Sequence, residues 1–261
     1  MSESTRPLVI ANWKMNLDFV ESVHWSQQVG VILKNRPADH VDVVVAPPFV
    51  DLRSVSSVLV SERIPVALGA QHVSANDAGA YTGEISCAML QRLNVTWVLV
   101  GHSERRALYA MDDAVVAATL RTVVRAGLEP VLCVGEDASV RDAGRAEEYV
   151  RAQLDSALGA LNEPLVTPVT VAYEPVWAIG SGATAAPEQI AAMTDFIRSV
   201  LVGYVTGTSR VLYGGSVNGE NASTLMSDGR VDGFLVGGAS LKAESFVSVV
   251  QACDDCYAGK R

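Results

Sequence analysis

The chain is poor in cysteine and in positive charge, and each shortage excludes something. Four cysteines in 261 residues are too few for a disulfide-stapled scaffold. Cys87 and Cys133 sit in helical or strand-like apolar contexts and read as small buried thiols of a reducing compartment. Cys253 and Cys256 form a C-x-x-C pair. No second ligand pair stands at zinc-site spacing, so an ordinary end-of-helix role is expected there, and no metal. Lys and Arg number 20 against 29 Asp and Glu, a formal net charge of −9. That sign excludes bulk attraction to nucleic acid or to an anionic membrane. No apolar run approaches the roughly 20 residues of a membrane span. The polar stretch 1–7 lacks the apolar core of a signal peptide. A cytoplasmic protein is therefore expected, and any anionic ligand must be captured locally, against an unfavourable global field.

What is present is a well-packed composition, 49% hydrophobic and 19% charged, in one repeating pattern. Short apolar runs at 8–13, 41–46, 66–70, 96–101, 129–134, 169–173, 210–214 and 233–236 are rich in Val, Ile and Leu. Continuous apolar strands of this kind are buried on both faces, as in parallel sheets. Helical segments lie between them at 18–33, 86–93, 112–126, 146–161, 187–202, 222–226 and 245–252. Asp18 suits a helix cap, Pro187 a first turn and Gly127 a helix stop. Eight strands alternating with helical segments imply an α/β fold with a parallel sheet, open or closed. With no linker, charge block or internal repeat, residues 1–261 are expected to form one domain. A closed (β/α)8 barrel needs roughly 250 residues.

The unusual residues follow the strands. Asn12-Trp13-Lys14-Met15-Asn16 ends the first, Gly101-His102-Ser103-Glu104-Arg105-Arg106 the fourth, and Tyr173-Glu174-Pro175 the sixth. Tyr213-Gly214-Gly215-Ser216 and Val236-Gly237-Gly238 end the last two. Taken singly, Lys14 reads as a solvated loop lysine, His102 as a structural histidine, Glu174 as a turn residue and the tandem glycines as turns. Together they occupy equivalent positions of one repeating unit, on the rim where barrel enzymes build their sites. Exposed backbone N–H groups around Gly215-Ser216 and Gly237-Gly238 suit a phosphate dianion. A carboxylate base (Glu174), a donor (His102), a polar partner (Asn12) and a cation (Lys14) beside that anchor suit proton abstraction next to a carbonyl. No serine–base pair, metal-ligand cluster or dinucleotide fingerprint competes.

Five motifs, NWKMN, GHSERR, AYEPVWAIG, YGGSV and LVGGASL, occur in the order seen in triosephosphate isomerases, and in these the chain closely resembles that family. The resemblance spans essentially the whole chain. It implies a TIM barrel without a cofactor, interconverting dihydroxyacetone phosphate and glyceraldehyde 3-phosphate, both small phosphorylated sugars. It implies Glu174 as base and His102 as neutral electrophile, a role for which this family is itself the standard example. It further implies Lys14 and Asn12 as substrate-orienting groups, Glu104 in support, and Gly180, Ser216, Gly237 and Gly238 as the phosphate grip. Segment 174–185 resembles the family's lid, which would press Ile179 and Leu235 against Glu174. Segment 71–84, from Gln71 to a tip at Thr82, resembles the loop that enters a neighbouring subunit, so a homodimer is implied. Three readings compete: an isomerase of four-carbon ketose phosphates, a non-catalytic phosphate-binding barrel, and a phosphate-binding barrel of amino-acid biosynthesis. The chain departs from the family's usual residues at Ala11, His72, Ser181, Ala183 and 107–113.

Overall fold

A computed structural model describes residues 6–161, 169–179 and 185–259. The strands are β1 (Leu8–Asn12), β2 (Asp42–Ala46), β3 (Ala67–Ala70), β4 (Val95–Val100), β5 (Glu129–Val134), β6 (Thr170–Tyr173), β7 (Arg210–Tyr213) and β8 (Gly233–Val236). They pair in parallel, in chain order, and β8 pairs back to β1. The sheet is therefore a closed barrel, which resolves the choice between open and closed that strand patterning leaves undecided.

Burial follows the strand period of two. Leu8 and Ile10 of β1 belong to the apolar cluster inside the barrel, with Val44, Leu99, Val131 and Leu212. Val9 and Ala11 belong to the larger cluster between barrel and helices. Most strand positions are buried on both faces, and this is why the strands carry long apolar runs.

Ten α-helices surround the barrel among the described residues: α1 (Phe19–Asn35), α2 (Leu52–Ser61), α3 (Cys87–Gln91), α4 (Ser103–Leu108), α5 (Asp113–Arg125), α6 (Ala138–Asp142), α7 (Ala146–Leu158), α8 (Pro187–Leu201), α9 (Ala222–Ser227) and α10 (Ala243–Ala258). Asp18 caps α1 in a reciprocal capping box with Glu21. Asp112 caps α5 through Val115 N–H. The strict one-helix alternation needs correcting in two places, since β4 and β5 are each followed by a short helix and then a long one. α2, for which the sequence reading places no helix, has Leu52, Val55, Ser56 and Leu59 buried, a helical spacing that its serines obscure. α10 runs six residues beyond the expected end at 252, carried by a face that stays buried through Tyr257. Cys253 is thus a buried helix residue and Cys256 a half-buried one, both free thiols. Cys87 and Cys133 are buried and free, as expected. No described helix is long and apolar enough to cross a membrane.

Barrel closure makes its strictest demand at Gly233, opposite Leu8 in the β1–β8 pairing. Its φ is +139°, and a Cβ there would lie 1.9 Å from the Leu8 carbonyl oxygen. Backbone has no rotamer to escape into. Gly233→Ala is expected to destabilise the fold by on the order of 3 kcal/mol, combining left-handed strain and overpacking. Thermal or denaturant unfolding measures it, and a loss under about 0.5 kcal/mol, the range of a neutral surface change, would contradict the close approach.

Candidate active site

The strand ends at the C-terminal rim enclose a cavity of about 670 Å³. Asn12, Lys14, His102, Glu104, Glu174, Ile179, Ser216, Leu235, Gly237 and Gly238 all line it. Residues far apart in the chain meet because each closes an equivalent strand of the ring.

Asn12 is the last residue of β1 and is buried. Its Oδ1 accepts the Lys14 N–H at 3.1 Å, which folds the chain over in a tight turn. Lys14 has φ +55°, a left-handed backbone that costs a non-glycine residue about 1–3 kcal/mol. Gln71 supports this turn by donating from Nε2 to the Lys14 carbonyl at 2.8 Å and to the Ala46 carbonyl at 3.0 Å. The Lys14 ammonium then reaches Glu104 Oε1 at 2.6 Å. Gln71 thus touches the site's own backbone, a role that its place in a protruding loop hides.

His102 precedes α4 and accepts the Glu104 N–H on Nδ1 at 3.2 Å. That bond needs a lone pair on Nδ1, so the neutral ring carries its proton on Nε2. Nε2 faces Glu174 Oε1 at 3.0 Å, and Glu174 Oε2 accepts the Ser103 N–H at 2.8 Å. Burial pushes the fully enclosed Glu174 carboxyl up, but His102 and the Ser103 amide overcome it and leave the group below its ordinary value. Burial pulls the His102 pKa down, and the adjacent Glu174 carboxylate more than offsets it, so the net direction is up. The Glu104 amide on Nδ1 opposes a charged ring, because an imidazolium has no lone pair to receive it.

The Glu174 direction sets a pH dependence of stability. Its carboxylate contributes stability that is present above the unfolded pKa of about 4.3 and lost as pH falls through the depressed folded one. Denaturant unfolding of the native protein and of Glu174→Gln between about pH 7 and about pH 3 measures it. The stability difference between the two is expected to shrink as pH falls below about 4.3, and a difference independent of pH would contradict this reading.

The glycines provide room. A Cβ at Gly214 would lie 2.9 Å from Glu174 Cγ, and one at Gly215 would lie 2.2 Å from the Tyr213 hydroxyl oxygen. Gly237 precedes a short 3₁₀ turn, Gly238–Leu241, whose first residue has nothing within 4 Å of its would-be Cβ. Backbone at these positions approaches a ligand without side-chain obstruction. Asn221 donates from Nδ2 to the Ser216 carbonyl at 3.3 Å and fixes that turn. Gly180 lies outside the described residues, as do Ser181, Gly182 and Ala183.

Ser103 and Asn221 escape a reading of side-chain chemistry. Ser103 acts through its backbone N–H, to which any residue but proline is equivalent. Glu136 escapes as well. It is fully buried, and its Oε1 accepts from Tyr173 Oη at 3.0 Å, Trp177 Nε1 at 2.9 Å and Arg141 Nη1 at 3.0 Å. The cluster pins the chain just after Glu174. Thr82 is exposed and is not among the cavity's own lining residues. Among the described residues, no three His, Cys, Asp or Glu side chains are grouped to hold a metal ion.

Comparison with known proteins supplies the family. The family model described as triosephosphate isomerase matches residues 7–253. A triosephosphate isomerase of Mycolicibacterium paratuberculosis (strain ATCC BAA-968 / K-10) is 43% identical over 250 residues, covering 94% of this chain and 96% of the relative. One of Rhodococcus jostii (strain RHA1) is 44% identical over 248 residues, covering 94% and 95%. One of Nocardia farcinica (strain IFM 10152) is 43% identical over the same length and coverage.

Proposed function

This chain belongs to the triosephosphate isomerase family, and we propose how its rim residues perform the family's reaction. It is an aldose–ketose isomerase that interconverts dihydroxyacetone phosphate and D-glyceraldehyde 3-phosphate, a step of glycolysis and gluconeogenesis. Membership does not favour a four-carbon substrate, a non-catalytic barrel or an amino-acid biosynthetic one.

The observation that carries the assignment of roles is the His102 Nε2–Glu174 Oε1 approach of 3.0 Å inside a cavity lined also by Lys14 and the glycine-rich turns. The phosphate sits against the backbone of Ser216, Gly237 and Gly238, with Gly180 completing the grip. The substrate carbonyl takes the proton donor on His102 Nε2, which releases the Glu174 carboxylate from that bond. A carboxylate that has lost the His102 donor and is enclosed by Ile179 and Leu235 becomes a stronger base. Glu174 then removes a proton from the carbon next to the carbonyl. His102 and Lys14 stabilise the enediolate oxygens, Asn12 orients them, and the proton returns to the neighbouring carbon. Glu104 holds Lys14 in place.

The test is kcat/KM for glyceraldehyde 3-phosphate against erythrulose phosphates. The triose is expected to win, and by no more than about 10–200-fold if room for one carbon is all that decides. A preference for the tetrulose would overturn the substrate and leave the proton-transfer roles standing.

The same reading covers the surroundings. Residues 1–261 act as one domain in the cytoplasm. The functional unit is a homodimer in which Thr82 of one protomer reaches the rim of its partner. Met15, directly after Lys14, is 93% exposed, and Tyr81 at the loop tip 48%. Large apolar side chains on a catalytic turn and on a protruding loop favour burial against a second copy.

A further inference from the structure

Glu174 lines two cavities. In front is the substrate pocket, and behind it lies a separate cavity of about 270 Å³ bounded by the ends of β4 and β5 and the start of α7. The rear wall is tight: a Cβ on Gly135 would fall 1.7 Å from the Glu174 carbonyl oxygen. Gln153 holds that wall, accepting the Gly135 N–H at 2.8 Å and donating back to the Gly135 carbonyl. Asp137 and Tyr149 are exposed and also line the cavity, so they mark its mouth.

The rear cavity has a mixed lining, its apolar walls interrupted by Ser103, Arg106, Asp137 and Gln153. Arg106 lines it, bonded through Nε to the Gly101 carbonyl and through Nη1 to Asp113. Its buried Nη2 has no hydrogen-bond partner among the described residues. A buried guanidinium N–H left unbonded is costly, and a cavity of this size with such a donor on its wall has room for several waters at about 30 Å³ each.

We propose that this rear cavity is a water route through which the Glu174 carboxyl proton exchanges with solvent while substrate fills the front pocket. The inference rests on Glu174 being the base. In the first half-reaction the substrate C–H bond breaks, its electron pair stays in the enediolate, and the proton joins a Glu174 oxygen. The carboxylic acid then gives that proton to a cavity water and takes another from it, with no net change in charge. The exchanged hydrogen goes to the neighbouring carbon. Blocking the rear water is then expected to favour return of the same hydrogen.

A reversible plug at the mouth tests this. Tyr149→Cys is made in a Cys256→Ser background, the other three thiols being buried. Benzyl methanethiosulfonate converts the introduced thiol to a benzyl disulfide, with methanesulfinate leaving, and a dithiol reductant removes it. Turnover in deuterated water is followed by the deuterium content of the product carbon. Unblocked protein should place solvent deuterium in product. Blocking should lower that fraction at least threefold with kcat within twofold, and reduction should restore it. An unchanged fraction, a complete absence of solvent label from the unblocked protein, or a parallel loss of label and kcat would each overturn the route. Absence of isomerisation by the unblocked protein would instead defeat the functional reading on which the route rests.

Discussion

Glu174→Gln is expected to cut kcat by about 10²–10⁴-fold, the range that a positioned general base contributes, with KM for the triose phosphates little changed. The proposed phosphate grip uses backbone at Ser216, Gly237 and Gly238, which the substitution leaves in place, so binding should survive. Gln keeps the shape and remains able to accept the Ser103 N–H that now meets Oε2. It has no charge to hold opposite His102 and no basicity to abstract a proton. Because the two side chains are within 3.0 Å, the substitution also removes the carboxylate that raises the His102 pKa. A loss under tenfold in a folded variant would remove Glu174 from the role.

Shortening the loop between Asp77 and Glu84 is expected to give a monomer with activity down by about 10²-fold, the cost of misplacing catalytic groups by roughly 1 Å. The base of this loop is tied to its own protomer. Ser74 N–H meets the Ile85 carbonyl, Thr122 Oγ1 donates to the Ala75 carbonyl, and Arg125 grips Asp77 through both carboxylate oxygens. Beyond Asp77 the backbone bonds are local, Tyr81 N–H to the Gly79 carbonyl and Glu84 N–H to the Tyr81 carbonyl. The excision spares Gln71, so the Lys14 carbonyl keeps its support within the protomer, and the expected loss reports the partner's contribution alone. Sedimentation and kcat/KM measure the two effects. A native protein that sediments as a monomer at full activity would contradict the dimer.

The strands were legible to within one residue at either end, because a strand buried on both faces writes its burial directly into a run of apolar residues. Helices with one apolar stripe and a clear cap were legible too, as with Asp18 before α1 and Asp112 before α5. α2 was not, since Ser54, Ser56 and Ser57 interrupt its stripe, and its buried Ser56 is satisfied by Asn94, 38 residues away. The short helices α4 and α6 were missed for a different reason: they are brief turns fixed by the polar caps His102 and Asp137, too short to show any period.

Within the site, residue identity and the repeat of the strand–helix unit were enough to say which chemical groups are available: a carboxylate, an imidazole, an ammonium and two glycine-rich turns, each just after a strand. Four further facts came from the folded chain. The barrel closes through β1 and β8, and His102 and Glu174 meet at 3.0 Å. Gln71 props the strained Lys14 turn, and a second cavity lies behind the base. Each of these joins residues distant in the chain, often through backbone atoms that every residue type shares. A pattern of side chains records what a residue can do, whereas a backbone hydrogen bond or a void records only where the chain has gone.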